Sequence, residues 1–297
     1  SNLRWRVHII KMAVTLGILF GIIAMLSWGV ADFFAAKAVR KTSVFKTFFW
    51  IEIVTLITLL VPFLLFFEFP SLSFFDILLI LIIAFLALIS VLSFYKGLQV
   101  GNVSIISPIA ASAAVIAVIL SLIFLNETLT ILQTTAISMV ILGAILTSFK
   151  FHDLIRLRLK NIAKGVKYAV IAMFGWGIIF VLIDILVSRL GWFLPLLFFV
   201  AVEIFYMLLY SGATKKNISF PKNVVLFVIL VGVLEATAFL SFSYGISLEH
   251  TAIVAPIISA FPAVTIILAR IFFKEMLELN QRIGIAAVLT GLVLLSV

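Results

Sequence analysis

Ile23-Ala24-Met25-Leu26-Ser27-Trp28-Gly29 and Ile171-Ala172-Met173-Phe174-Gly175-Trp176-Gly177 decide the reading of this chain. The second stretch begins 148 residues after the first (171 less 23), and the same ungapped offset aligns much of the remainder. Phe94 and Gly97 fall on Phe242 and Gly245, Pro108 on Pro256, Glu127 on Glu275, Leu129 on Leu277, Gln133 on Gln281, and Gly143 on Gly291. In an apolar sequence, shared Leu or Ile would prove little. Trp, Pro, Glu, Gln and Gly held in one register are much harder to obtain by chance, and self-similarity at a fixed period marks a duplicated unit.

Composition says what kind of unit. Of 297 residues, 65% are hydrophobic and 11% charged, and mean hydropathy is +1.37. A soluble domain keeps roughly 25% charged residues to cover its surface. Without that polar skin, side chains must face lipid. The absence of Cys removes disulfides and thiolate metal sites. The net charge of +9, in so apolar a chain, points to cations at a membrane face, not to a nucleic-acid groove.

A spanning helix needs about 20 mostly apolar residues. On that criterion ten spans are expected, near 13–36, 44–67, 75–98, 103–124, 130–149, 166–188, 191–211, 223–247, 251–273 and 279–297. The runs are continuous, without the alternation of barrel strands. Arg4, Arg6 and Lys11 before an apolar run resemble a signal-peptide start, but Met12–Phe34 is too long for a signal core and lacks a small-residue cleavage pattern. Residues 1–11 therefore read as an N-terminal tail, 12–149 as a first five-helix repeat, 150–165 as a linker and 166–297 as a second repeat. Five is odd, so two such repeats in series must lie inverted to each other, as in many secondary transporters.

Trp28-Gly29 in the first helix, Pro108 early in the fourth, and Glu127-Thr128-Leu129 before a fifth helix with Gln133 and Gly143 form a pattern. The second copy repeats it with Trp176-Gly177, Pro256, Glu275-Met276-Leu277, Gln281 and Gly291. Over essentially the whole chain this resembles the EamA family of the drug/metabolite transporter superfamily. The resemblance implies a central cavity lined by helices 1, 3, 4, 6, 8 and 9, with helices 5 and 10 peripheral; it does not name a substrate.

Of the 21 Lys and Arg residues, 17 lie in or beside the loops that follow odd-numbered spans, leaving Arg4, Arg6, Lys11 and Arg189 on the other side. Cytoplasmic loops carry the excess of positive charge, so the odd loops are expected in the cytoplasm of a multi-pass cell-membrane protein, with both termini outside. The family resemblance implies the opposite sense; the charge bias is given precedence.

Ionisable residues inside a span are costly and mark pathways by default. Here they are Asp32, Glu52, Lys96, Asp184, Glu203 and Glu235, five acids against one base. Trp28 and Asp32 share a helix face, as do Trp176, Phe180 and Asp184. An aromatic face beside a carboxylate suits a substrate ammonium, although belt tryptophans and snorkelling acids give the same spacing. Lys96, with Tyr244 as its repeat counterpart, is a candidate for a substrate carboxylate or a neutraliser of Asp32. Glu235 lies mid-helix, with Ala87 as its counterpart, so duplication does not explain it. A carboxylate that deep is costly to charge, which makes Glu235, and after it Glu203, candidates for coupling. Pro108 and Pro256 are expected to bend their helices and shape the cavity, and Glu127 and Glu275 to cap helix ends.

No phosphate-binding GxxxxGK[ST] loop occurs, so no ATPase subunit is assumed. No metal-ligand cluster is visible, and no cofactor is expected. The chain reads as a secondary transporter, not an enzyme. It would move small metabolites, amino acids or other amine-bearing solutes, with the bilayer as its other partner. A membrane enzyme on a lipid-linked substrate and a drug exporter of broad specificity are the alternatives.

Overall fold

Hydrocarbon offers no partner for a free backbone N–H or C=O, and an α-helix satisfies both within one segment. The structure, a computed structural model, describes residues 2–39, 41–100, 103–152, 165–274 and 276–296. These residues form twelve α-helices: α1 (Asn2–Val39), α2 (Val44–Phe66), α3 (Phe74–Val100), α4 (Val103–Ala111), α5 (Ala113–Phe124), α6 (Ile131–Thr147), α7 (Val166–Leu190), α8 (Leu194–Thr214), α9 (Val225–Leu248), α10 (Thr251–Ser259), α11 (Phe261–Phe273) and α12 (Leu279–Leu295). Most of the linker expected over 150–165, residues 153–164, lies outside the described residues, as does Glu275.

Eight segments are long and apolar enough to cross a membrane, α4 with α5 and α10 with α11 each counting once. The remaining two, α6 and α12, are apolar helices of 17 residues each. At 1.5 Å per residue they reach about 25 Å, the short end of the spanning range. Residues 2–11, expected as an N-terminal tail, are helical and continuous with α1. Neither Pro nor Gly interrupts them, and extending a formed helix costs far less than starting one.

The interruptions fall at matching places in the two halves. Pro108 lies inside α4 and Pro256 inside α10. The breaks come four residues later, at Ser112 and Ala260. In the first copy the Ser112 Oγ donates back to the Pro108 carbonyl at 2.9 Å, a local bond that bends helices. In the second, Pro262 occupies the first turn of α11, where its missing N–H is tolerated but continuation from α10 is not.

Packing obeys the duplication. α1 packs on α9 as α7 packs on α3, α2 on α9 as α8 on α3, and α1 on α11 as α7 on α5. The agreement extends to atoms. A Cβ on Gly29 would meet Val264 and the Phe261 carbonyl; one on Gly177 would meet their counterparts, Ile116 and the Ala113 carbonyl. Where α6 crosses α12, Gly143 touches Gly284 while Gly291 touches Ala136. Rising numbers on one helix meet falling numbers on the other, so these counterpart helices run antiparallel.

Side-chain contacts also fix the two ends of the bundle. At one end the Lys46 Nζ donates to Ser219 Oγ at 2.9 Å and Phe34 stacks on Phe227, joining the α1–α2 and α8–α9 turns. At the other, Arg189 of α7 bonds Asp76 of α3, and the Ser243 hydroxyl of α9 donates to the Trp192 carbonyl. Between them lies a core that includes Leu59, Ile83, Ile183, Met207 and Phe242, each almost wholly buried.

Candidate transport site

Trp28 sits on α1 where that helix lies against α9. Its indole Nε1 donates to Glu235 Oε2 at 2.6 Å. Phe239 packs edge-on to the same indole at 5.2 Å, and Phe242 lies 6.4 Å away. Phe242 in turn meets Phe180 of α7. The other half repeats the frame without the acid: Trp176 packs on Phe94 at 5.3 Å, and Phe94 on Tyr95. A symmetric aromatic frame thus holds one asymmetric carboxyl, Glu235, because its counterpart position is Ala87.

One helical turn beyond Trp28, the Asp32 side chain is exposed. It lies within electrostatic reach of both Glu235 and Tyr95, so it faces the interior and not the lipid. Behind Glu235 stand Glu52 of α2 and Glu203 of α8, only 2% and 3% exposed. They lie within electrostatic reach of Glu235, and one oxygen of each has no hydrogen-bond partner among the described residues. Four acids from α1, α2, α8 and α9 therefore share one region at membrane depth. No three of them stand close enough to hold a metal ion. What the arrangement can do is attract an organic cation between aromatic rings, or exchange protons.

Asp184 is placed elsewhere. Its Oδ2 accepts from Thr251 Oγ1 at 2.6 Å at the start of α10. It lies eight residues along α7 from Trp176, about 12 Å at helical rise. The Glu127 carboxylate accepts the N–H groups of Thr251 and Ala252, both at 2.8 Å, which is a helix cap across the two halves. Tyr244 meets Phe20 at 4.7 Å and Trp192 at 5.2 Å, both edge-on. It too is remote from Glu235, nine residues or about 13 Å along α9. Lys96 is exposed near the C-terminal end of α3, directly after Tyr95. Trp28, Asp32 and Glu235 are thus brought together with Glu203; Trp176 joins through the aromatic frame, and Asp184 and Tyr244 do not join.

Asp184, Tyr244, Thr251 and Glu127 belong instead to a clasp at the Asp76–Arg189 end. There Asp76 also accepts from the Ser73 N–H and hydroxyl. Phe67 stacks on Phe193 at 4.2 Å beside Trp192. Glu249, outside the spans, sits nearby. Burial pushes its carboxyl above the usual range, and the His250 N–H at 2.8 Å brings it part of the way back. Tyr95, Glu52 and the Asp76–Arg189 pair are not singled out by spacing or motif in the sequence. Arg189's isolation among the cations of its side was the available signal.

An apolar helical bundle with matching halves and a polar, aromatic-walled region between them has the build of a polytopic membrane protein. The comparisons agree. The EamA-like transporter family matches residues 15–149 and again 163–297, an offset of 148 (163 less 15). The chain belongs to that family, within the drug/metabolite transporter superfamily. An uncharacterized protein of Methanocaldococcus jannaschii is 34% identical over 83 residues, 28% of this chain and 61% of that relative. The match therefore spans somewhat less than two thirds of a protein of about 136 residues (83 divided by 0.61), close to the size of one half. A solved crystal structure superposes with a TM-score of 0.77 over 94% of this chain and 97% of its own, at 14% identity. At that identity the likeness speaks for the fold alone.

Proposed function

We propose that the chain is a secondary transporter of ten spans in two inverted halves, moving small amine-bearing solutes, amino acids among them, by alternating access. The observation that carries this reading is the Trp28–Glu235 bond inside its aromatic frame, with Asp32 exposed one turn away. A solute ammonium would bind between Asp32 and Glu235, over the indole face. The antiparallel crossing of α6 and α12 supports the inversion, because counterpart helices that run opposite ways belong to units that do. The matching interruptions in α4/α5 and α10/α11 support a site at the repeat interface, where broken helices line transporter cavities. In this reading the clasp would close the Asp76–Arg189 end and Asp32 would be reached from the opposite end, which we assign to the cytoplasm.

Coupling would fall to Glu235, with Glu203 behind it. Charging an unpaired carboxyl at this depth is expensive, so each gain or loss of charge there changes which state is favoured. Glu235→Gln removes the charge but keeps shape and hydrogen-bonding atoms. In a thermal-shift screen against amino acids and amines, the wild type should respond to an amine with a pH-dependent affinity, and the variant should fold but respond independently of pH. A pH profile unchanged by the substitution would reduce Glu235 to a structural hydrogen-bonding group.

A further inference from the structure

At the end opposite the clasp, a cavity of about 480 Å³ opens between the α1–α2 turn and the segment leading into α9. Its lining includes three lysines, Lys41 and Lys46 from the first half and Lys222 from the second, together with Asn217 and Asn223; the Lys41 ammonium lies over the Phe227 ring. Among the described residues no Asp or Glu lines it. Three like charges around one hollow repel one another, so the arrangement favours an anion between them.

The frame is built and not merely flexible surface. The Lys46 Nζ is already directed across the gap, donating to Ser219 Oγ at 2.9 Å. Asn217 Oδ1 accepts the Ser219 N–H at 2.7 Å, which folds that segment on itself. The Trp50 indole N–H donates to the Ile218 carbonyl at 2.9 Å, and its ring packs edge-on against Phe220 at 4.9 Å. These contacts pin the second-half segment onto α2. Immediately beside the pocket α9 turns an apolar face outward, with Leu226 73% and Ile229 48% exposed. A ligand that carries a charged head on acyl chains can satisfy both surfaces at once; a soluble anion satisfies only one.

We propose that this pocket binds the phosphate head group of an anionic membrane lipid, joining the two halves at their cationic end. Lys ammonium groups bind phosphate oxygens by charge-assisted hydrogen bonds, and lysine clusters next to spanning helices recognise anionic leaflets. The shared chemistry is a phosphate ester, so the experiment must separate lipid from free phosphate. Purified full-length protein in a neutral detergent is titrated with short-chain phosphatidylglycerol, with phosphatidylcholine of the same chain length, and with inorganic phosphate, reading Tm. The expected result is a Tm rise with phosphatidylglycerol, none with phosphatidylcholine, and a much weaker response to phosphate. The Lys41→Gln, Lys46→Gln, Lys222→Gln variant should need at least about tenfold more phosphatidylglycerol, and Lys222→Gln alone should show part of that loss. A variant with the same change in net charge outside the pocket, Lys215→Gln, Lys216→Gln, Arg282→Gln, should respond like wild type. An equal loss in that control would reduce the effect to general surface charge and overturn the proposal. So would an undiminished response in the pocket variants, or inorganic phosphate matching the lipid.

Discussion

Asp32 and Asp184 look alike in the sequence, each below a tryptophan on one helix face, yet they have different surroundings. Asp32 is exposed near Glu235 and Tyr95, whereas Asp184 accepts a 2.6 Å bond from Thr251 in the clasp. Their substitutions should therefore separate. Asp32→Asn should raise the Kd for an amine substrate several-fold with little change in Tm. Asp184→Asn should leave Kd near wild type and loosen the clasp, since a hydrogen bond to a charged acceptor is worth about 1.5–3 kcal/mol. Binding and Tm measured on both variants check this, and equal effects on Kd would place both acids at the substrate. Trp28, Asp32 and Glu235 were legible because charge inside a span is rare enough to stand out. Depth was not legible: eight residues on one face share a direction but differ by about 12 Å. Tyr95 stood out less because tyrosine is common at membrane interfaces for unrelated reasons.

At the scale of helices, glycines with close neighbours are the sensitive positions. A Cβ on Gly143 would lie 2.6 Å from the Gly284 carbonyl, a backbone atom that cannot turn aside. Gly143→Leu should force α6 from α12 and cost about 1–3 kcal/mol or more, the usual range for overpacking. Gly212, in the last turn of α8, has nothing within 4 Å. Gly212→Ala should be neutral or stabilising by up to about 1 kcal/mol, because alanine is the better helix former. Thermal unfolding of the two variants checks the contrast. The sequence showed both glycines but not their neighbours, since helix partners are set by long-range packing. It did locate the repeated prolines, whereas the breaks themselves come four residues later, where local hydroxyl bonds and Pro262 decide them.

For the whole molecule, the 148-residue register was enough to read two equivalent units, and the packing carries the register down to single contacts. Count was less legible. α6 and α12 are short enough to fall near the limit of a span. Orientation is set by charge, not by shape, and the 17-to-4 split of Lys and Arg is the basis for assigning the Lys46–Ser219 end to the cytoplasm. In this Cys-free chain, single cysteines at Ser43 and Ser219 should resist an impermeant thiol reagent in intact cells and react after permeabilisation. Ready labelling of both in intact cells would reverse the assignment.

At the crossing of α6 and α12 the contact of Gly143 with Gly284 and that of Gly291 with Ala136 are counterparts of each other in the 148-residue register. A surface that meets its own counterpart in reverse can equally meet a copy of itself. A gene for one half could therefore supply a whole bundle, provided its product entered the bilayer in both senses; fusion would then make that pairing obligatory. Such an ancestor needs cations balanced between its two faces, because an imbalance selects one sense of insertion. The present halves have lost that balance in opposite ways. Lys41 and Lys46 follow the first helix of one half where the other keeps Arg189 alone. Lys215, Lys216 and Lys222 follow the second helix of the other, where the first has Glu68. If the halves lie inverted, as proposed, the lysines of both have gathered on the same side of the bilayer.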